Sequence, residues 1–207
     1  MTLLQRTPSS FCLGRLRRLY HSQHGKLTIG IRREDPQRIW ERRCPLTPEA
    51  VHRLVKDEDV DVLVQPCERR VWRMEELIEA GARPHPTLKP AHIVLGIKET
   101  PIPELKALTD PIPLTGHQDP VARTHLMFSH THKGQPYNMV LLDQFLSGNN
   151  QTRPRLIDYE LLTDEQGKRT VGFGWFAGVA GALESLSALA HALLELGIAS
   201  PFLVGPV

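Results

Sequence analysis

The chain has 207 residues, 41% hydrophobic and 23% charged, with a formal net charge of +2. That length supports one generous domain, or one domain and a tail, and a chain of this size buries roughly 70% of its unfolded surface without disulfide or metal staples. Its longest uninterrupted apolar runs fall short of the ~20 residues that cross a bilayer, so the sequence predicts no transmembrane helix and no membrane partner.

Residues 1–24 hold four arginines (Arg6, Arg15, Arg17, Arg18) and no acid. Setting those four aside leaves 21 basic against 23 acidic residues, so the remainder lacks the basic excess expected of a nucleic-acid binder. An acid-free, Arg- and Ser-bearing, moderately amphipathic leader is the composition of a mitochondrial transit peptide, and RRLYHS places its cleavage near Tyr20. The sequence therefore predicts a disordered leader over 1–24 and a matrix location.

From residue 26 onward, strand-like runs alternate with helical patterns. LTIGIRR (27–33) reads as a strand. Thr47 and Pro48 open a helix over PEAVHRLVKDE, the threonine as N-cap and the proline at the first helical position. DVLVQP (61–66) is a second strand, and VWRMEELIEAGA (71–82) a helix closed by Gly81. HIVLGIK (92–98) and THLMFSH (124–130) are the third and fourth strands. Between them, residues 99–123 contain five prolines and read as an irregular loop. NMVLLDQFLSG (138–148) is helical. RLIDYE (155–160) and KRTVGFG (168–174) are two further strands joined by the turn DEQG, and a long Ala-rich helix runs from Trp175 to about Gly197. This alternation predicts an α/β fold, Rossmann-like or flavodoxin-like, with a mostly parallel sheet and flanking helices. The predicted substrate domain is 26–174, followed over 175–207 by an interdomain helix and the start of a second domain.

Cys12, Cys44 and Cys67 are odd in number and far apart, and they form no metal-ligand spacing. They read as free structural thiols in a reducing compartment.

In open α/β sheets, ligands bind beyond the carboxyl ends of the strands. The last polar residues of the predicted strands are Arg32, Lys98, His130 and Glu160. Arg32 can grip a carboxylate bidentately, partial burial would draw the Lys98 amine toward neutrality, and His130 titrates near working pH. Each also has a plainer reading: Arg32 as part of the charge run with Arg33 and Glu34, Lys98 as a surface lysine beside Glu99, and FSHTHKGQ (128–135) as a solvated turn. A metal pair of His130 and His132 lacks a third ligand at a helpful spacing, and His132 points away from His130 if the strand continues. GFGWFAGVAG (172–181) imitates a dinucleotide turn, but its spacing is one residue too long and is filled by Trp175 and Phe176. Close helix packing by small residues is the favoured reading there, so neither a metal nor a cofactor site is predicted.

The blocks IRREDPQRIWERRCPLTPEAV (31–51), VLVQPCERR (62–70), VLGIKE (94–99), FSHTHKGQ, RLIDYELL (155–162) and FGWFAGVAG (173–181), in this order, resemble the lysine–ketoglutarate reductase half of bifunctional aminoadipic semialdehyde synthase. More distantly the chain is similar to saccharopine dehydrogenase and to the N-terminal domain of alanine dehydrogenase and transhydrogenase. The resemblance implies a reaction in which lysine condenses with 2-oxoglutarate and NADPH reduces the imine to saccharopine, with related enzymes running the oxidative direction with NAD. It implies Lys98 and His130 as the acid–base pair. It also implies Arg32, Lys133 and Arg169 as carboxylate contacts, Glu160 as the group that tunes the site's charge, and Arg42 and Arg43 as entrance residues. The NADP- or NAD-binding domain of the family is expected beyond PFLVGPV, or on a separate chain. Two rival expectations stand beside this one: a non-catalytic module that binds lysine or a dicarboxylate, and a truncated vestigial fragment.

Overall fold

The computed structural model describes residues 26–114, 117–172 and 174–198. The leader predicted over 1–24, with Cys12, lies outside the described residues. The described chain divides into two compact units, one ending at Leu161 and one beginning at Leu162.

The first unit is built on six strands: β1 (Thr28–Ile31), β2 (Asp61–Val64), β3 (Arg83–Pro84), β4 (Ile93–Leu95), β5 (Thr124–Met127) and β6 (Arg155–Asp158). Their order is β3-β2-β1-β4-β5-β6, and every adjacent pair is parallel. This settles the choice between the two expected topologies in favour of the Rossmann-like order. The strand sequence reverses between β1 and β4, which opens a crevice at their carboxyl ends.

The central strands are apolar on both faces, as parallel strands covered by two layers must be. Alternate side chains feed opposite layers. Val62, Val64 and Leu95 join Ile29, Ile31, Val51 and Leu77 in one core, whereas Leu63 and Val94 join Leu88, Ala91 and Leu108 in another. Gly30 allows the second layer to approach, since a Cβ there would lie 2.8 Å from that of Ala91.

Helix α1 (Pro48–Lys56) starts as its sequence predicts, with Thr47 Oγ1 accepting the Ala50 N–H at 3.2 Å and Pro48 in the first turn. Helix α2 (Met74–Glu79) is shorter than the 71–82 pattern, because the Glu76 carboxylate caps the Arg73 N–H at 2.7 Å and Gly81 turns the chain at φ 106°. The 99–123 stretch is more ordered than its prolines suggest. Pro101 caps α3 (Ile102–Lys106), a position that needs no N–H, and the fully buried Leu105 anchors it. An antiparallel bridge then joins Ile112 to Val121. Helix α4 (Pro136–Leu146) packs Leu141 and Phe145 with Met127 and Leu105.

In the second unit, the described residues of the strand expected over 168–174 form no strand. The turn forms at Gly167, but among the described residues only one bridge, Thr163 to Arg169, follows it, and no adjoining strand extends it. Helix α5 (Gly174–Glu195) has a mean hydropathy of 1.4 over 18 residues, so by length and composition it could cross a membrane. This corrects the expectation that no stretch is long enough. Alanines, glycines and serines interrupt the bulky apolar runs without lowering the average much. The close packing expected of its small residues is not seen either: a Cβ at Gly178 or Gly181 meets nothing within 4 Å.

His125, on β5, is fully buried. Its Nε2 lies 3.0 Å from the Leu108 carbonyl, its ring meets Phe145 edge-on at 5.6 Å, and Nδ1 has no partner. Burial, reinforced by Arg123 and Arg32 and opposed by the Leu108 bond, pushes its pKa down to about 4. An unfolded imidazole titrates near 6.5, so the unfolded chain binds the extra proton first, and stability is lost as pH falls from about 6.5 toward about 4. Urea unfolding is expected to lose about 2 kcal/mol between pH 7 and 5 from this group. His125→Gln should remove most of that slope; equal slopes in the two proteins would contradict the assignment.

Candidate acid–base site at the carboxyl edge of the sheet

Beyond their last ladder residues, β4, β5 and β6 leave the sheet, and their next backbone N–H groups need new acceptors. Two buried carboxylates supply them. Glu34, three residues past β1, accepts from the N–H of Ile97 at 2.8 Å and of Lys98 at 2.9 Å. Asp158, the last residue of β6, accepts on Oδ2 from the N–H of Ser129 at 3.2 Å, the N–H of His130 at 3.0 Å and the Ser129 hydroxyl at 2.6 Å. Its Oδ1 accepts from the Glu160 N–H at 2.9 Å. Burial works to raise the Asp158 carboxyl, but these bonds outweigh it and hold the group below its ordinary value.

Arg32 does not stand open at the edge. It is 1% exposed, and its Nη2 donates to Glu34 Oε2 at 3.1 Å and to the Lys98 carbonyl at 2.9 Å, while Nη1 donates to the Arg33 carbonyl at 2.6 Å. The open carboxylate grip expected from sequence is thus replaced by an internal one, because Glu34 lies within reach two residues on. Only Nε lacks a partner. Gly96 makes room for the guanidinium: a Cβ there would lie 2.9 Å from Nε and Nη2.

Lys98 is therefore held through its own peptide groups, the N–H by Glu34 and the carbonyl by Arg32. Among the described residues its ammonium has no hydrogen bond or ion pair, and it is close enough to Glu41 to help lower that carboxyl, after the larger effect of the Arg43 hydrogen bond. Arg43 grips Glu41 with two bonds of 2.8 and 2.6 Å, and Arg42 donates to the Arg69 carbonyl at 3.2 Å.

His130 adopts a left-handed conformation, φ 54° and ψ 11°, at the entry of a 3-10 turn over Thr131–Lys133. Such a conformation costs about 1–2 kcal/mol for an L-residue, although histidine is among the side chains that enter it more readily. Its Nδ1 lies 2.8 Å from Glu99 Oε1, and its Nε2 lies 3.9 Å from Glu160 Oε2. Burial works to raise Glu99, but the His130 bond, a backbone N–H and the Arg38 guanidinium together hold it low. Arg38 approaches Glu99 Oε2 to 2.8 Å, as an ion pair without hydrogen-bond alignment. A carboxylate at Glu99 makes Nδ1 the protonated nitrogen of a neutral His130 and leaves Nε2 free to exchange a proton.

The same turn corrects the expected placement of His132. The strand ends at Met127, not His130, so the two imidazoles do not alternate. His132 comes within 3.6 Å of both Asp158 Oδ2 and Glu160 Oε2. His132, Asp158 and Glu160 thereby gather ligand atoms within 4.8 Å of one another, a grouping the sequence spacing did not reveal. A cation there would compete with the bonds already on Asp158 Oδ2 and with Lys133, whose ammonium reaches Glu160 Oε2 at 3.1 Å.

Of the residues singled out from sequence, Lys98, His130, Lys133 and Glu160 meet at the edge formed by β4, β5 and β6, with Arg32 behind them. Arg169 belongs to the second unit, where its guanidinium bonds the Val171 carbonyl at 3.2 and 3.3 Å. Sequence reasoning missed Glu34, Arg38, Glu41, Glu99 and Asp158. A usable signal was the acid spacing in DYE, where the first acid ends the strand and the second faces the histidines. No dinucleotide cradle forms in the described residues. Residues 168–172 make no strand leading into α5, and Trp175 and Phe176 stand exposed at its start. The residues gathered at the sheet edge, an imidazole, two amines and several carboxylates, are groups that can transfer protons and bind anions.

Glu34 and Arg32 form a buried pair, so removing one partner strands the other. Glu34→Gln is expected to cost about 3–5 kcal/mol in urea unfolding. The double change Glu34→Leu with Arg32→Met should cost less than the sum of the single changes. Strict additivity would show that the pair does not tie β1 to β4.

Comparison with known proteins bears directly on this site. The family described as alanine dehydrogenase/PNT, N-terminal domain, matches residues 30–180. The mouse protein named alpha-aminoadipic semialdehyde synthase, mitochondrial, is 37% identical over 192 residues, 92% of this chain and 19% of that protein. The Arabidopsis thaliana alpha-aminoadipic semialdehyde synthase is 36% identical over 191 residues, 88% of this chain and 16% of that protein. A Candida glabrata saccharopine dehydrogenase (NAD(+), L-lysine-forming) is 28% identical over 152 residues, 71% of this chain and 36% of that protein. The chain thus spans less than a fifth of the synthases it matches. With the matched region covering most of the sheet and all four strand ends of the site, the chain belongs to the alanine dehydrogenase/PNT N-terminal domain family.

Proposed function

We propose that this chain is the substrate-binding domain of an NAD(P)-dependent oxidoreductase that forms or oxidises saccharopine, with Lys98 and His130 as its acid–base pair. The observation that carries the reading is the His130 imidazole: Nδ1 is engaged by Glu99, Nε2 faces the site, and the unpartnered Lys98 ammonium extends from the neighbouring strand end. Condensation of lysine with 2-oxoglutarate requires the ε-ammonium to lose a proton, the amine to attack the ketone carbon, and the carbinolamine oxygen to gain a proton as water leaves. His130 Nε2 accepts and returns these protons, with Lys98 as the second proton carrier. Lys133, 42% exposed, binds a substrate carboxylate after exchanging its contact with Glu160. Arg32 acts from behind by fixing the Lys98 peptide. Glu160 balances the positive charge of His130, His132 and Lys133.

Hydride transfer is the chemistry the nicotinamide would supply when bound, NADPH donating hydride or NAD accepting it, and in this reading its binding domain lies elsewhere on a longer chain or on a separate one. The transit-peptide composition of residues 1–24 and the mitochondrial name of the mouse relative support a matrix location; the Arabidopsis name carries no such word. A second reading is a lysine- or dicarboxylate-binding module without catalysis, since the same strand-end residues serve binding alone.

Calorimetry of this chain with saccharopine and with 2-oxoglutarate is expected to show binding, weakened about tenfold, or ~1.4 kcal/mol, by Lys133→Ala. In an active form that consumes NADPH with lysine and 2-oxoglutarate, His130→Gln and Lys98→Met should each lower turnover by roughly 10²–10⁴. Unchanged turnover would end the acid–base assignment. Binding with no turnover in any form carrying the cofactor domain would favour the module.

A further inference from the structure

We propose that Asp158 is a positioning residue for this site: its carboxylate holds the backbone of His130 in the left-handed conformation that sets the imidazole between Glu99 and Glu160. The inference concerns the geometry of His130 and rests on the acid–base reading only for its functional meaning. Met127 and Asp158 are paired in register at the end of β5 and β6, so the next residues of β5 leave the sheet directly beside the Asp158 side chain. Ser129 is fully buried, and its N–H has no strand partner there; Asp158 Oδ2 accepts it, and accepts the His130 N–H one residue on. Ser129 Oγ adds a third bond to Oδ2 and lies 2.9 Å from Thr131 Oγ1, which fastens both sides of the turn.

The opposite oxygen, Oδ1, accepts the Glu160 N–H. One side chain therefore fixes the backbone at His130 and at the carboxylate facing its Nε2. With φ at 54°, His130 is in a conformation that an L-residue leaves unless bonds hold it. Relaxation to an ordinary φ would swing the imidazole away from Glu99. Both Asp158 oxygens act as acceptors, so an amide cannot replace them: in Asp158→Asn, either orientation of the side-chain amide would turn an NH₂ toward a backbone N–H.

The test is NMR of the whole ¹⁵N-labelled chain at about pH 8, where ordinary imidazoles are neutral, with His130 identified by its loss in His130→Gln. The wild-type chain should show His130 mainly as the Nδ1–H tautomer, with the strong intraresidue HN–Hα cross-peak of positive φ. In Asp158→Asn the tautomer ratio should shift at least several-fold toward Nε2–H and that cross-peak should weaken, while signals of β1, β2 and β4 persist. A variant with lower thermal stability but an unaltered His130 tautomer and cross-peak would assign Asp158 a merely structural role and overturn the proposal.

If Asp158→Asn does not fold, amide exchange in the wild-type chain decides the matter. The N–H groups of Ser129 and His130, which lie outside helices and ladders, and of Glu160, in the 3-10 turn Tyr159–Leu161, should be protected at least about a hundredfold; free exchange at His130 would overturn the proposal. Loss of the catalytic reading, seen as undiminished turnover in His130→Gln, would leave these signals as they are, so the two failures are distinguishable.

Discussion

The site depends on burying carboxylates against backbone N–H groups where parallel strands run out of partners. A parallel sheet satisfies its own amides only as far as the ladder extends, and the candidate site residues stand just beyond it. Leaving those amides buried and unpaired would cost about 1–3 kcal/mol each. Glu34 and Asp158 meet that requirement from within, one reaching from β1 to β4 and the other from β6 to β5. Both are nearly inaccessible, at 5% and 6% exposure, so their acceptors are preorganised rather than solvated. The strand ends they hold bear Lys98 and His130.

Preorganisation also explains the charge pattern around the imidazole. From Arg38 through Glu99, His130 and Glu160 to Lys133, acids alternate with bases, and each member is set by a backbone anchored elsewhere. The Arg69 guanidinium contributes at the far end by gripping the carbonyls of Asp35, Pro36 and Arg38, each at 3.2 Å. The loop carrying Arg38 thereby keeps its place over Glu99. Under the proposed acid–base role, a proton exchanged at Nε2 would be felt by groups that need not move to respond.

Much of this was legible in the sequence. Apolar runs at β1, β2, β4 and β5 announced buried parallel strands, and reading the polar residue after each run located Lys98 and His130 at one edge. What escaped was the inward turn of neighbouring side chains. Nothing in the IRRE stretch distinguishes an arginine facing a ligand from one enclosed by the acid two residues on. Nor does RLIDYE reveal that its first acid is a backbone acceptor while its second faces the histidines. The His130 turn was hidden because a strand pattern runs on through FSH, although the ladder stops at Met127. The strand read over 168–174 fails over its described residues for the converse reason: among the described residues, those of strand character have no neighbouring edge to join.

The central claim is that ligand meets this domain at the carboxyl edge of β4, β5 and β6. Its most direct test is to follow the backbone amide spectrum of the chain during titration with saccharopine. The account predicts shifts concentrated at residues 97–99, 128–133 and 158–160. Shifts confined to other faces of the sheet, such as the apolar cavity lined by Leu27, Leu46 and Leu54 beside α1, would contradict it.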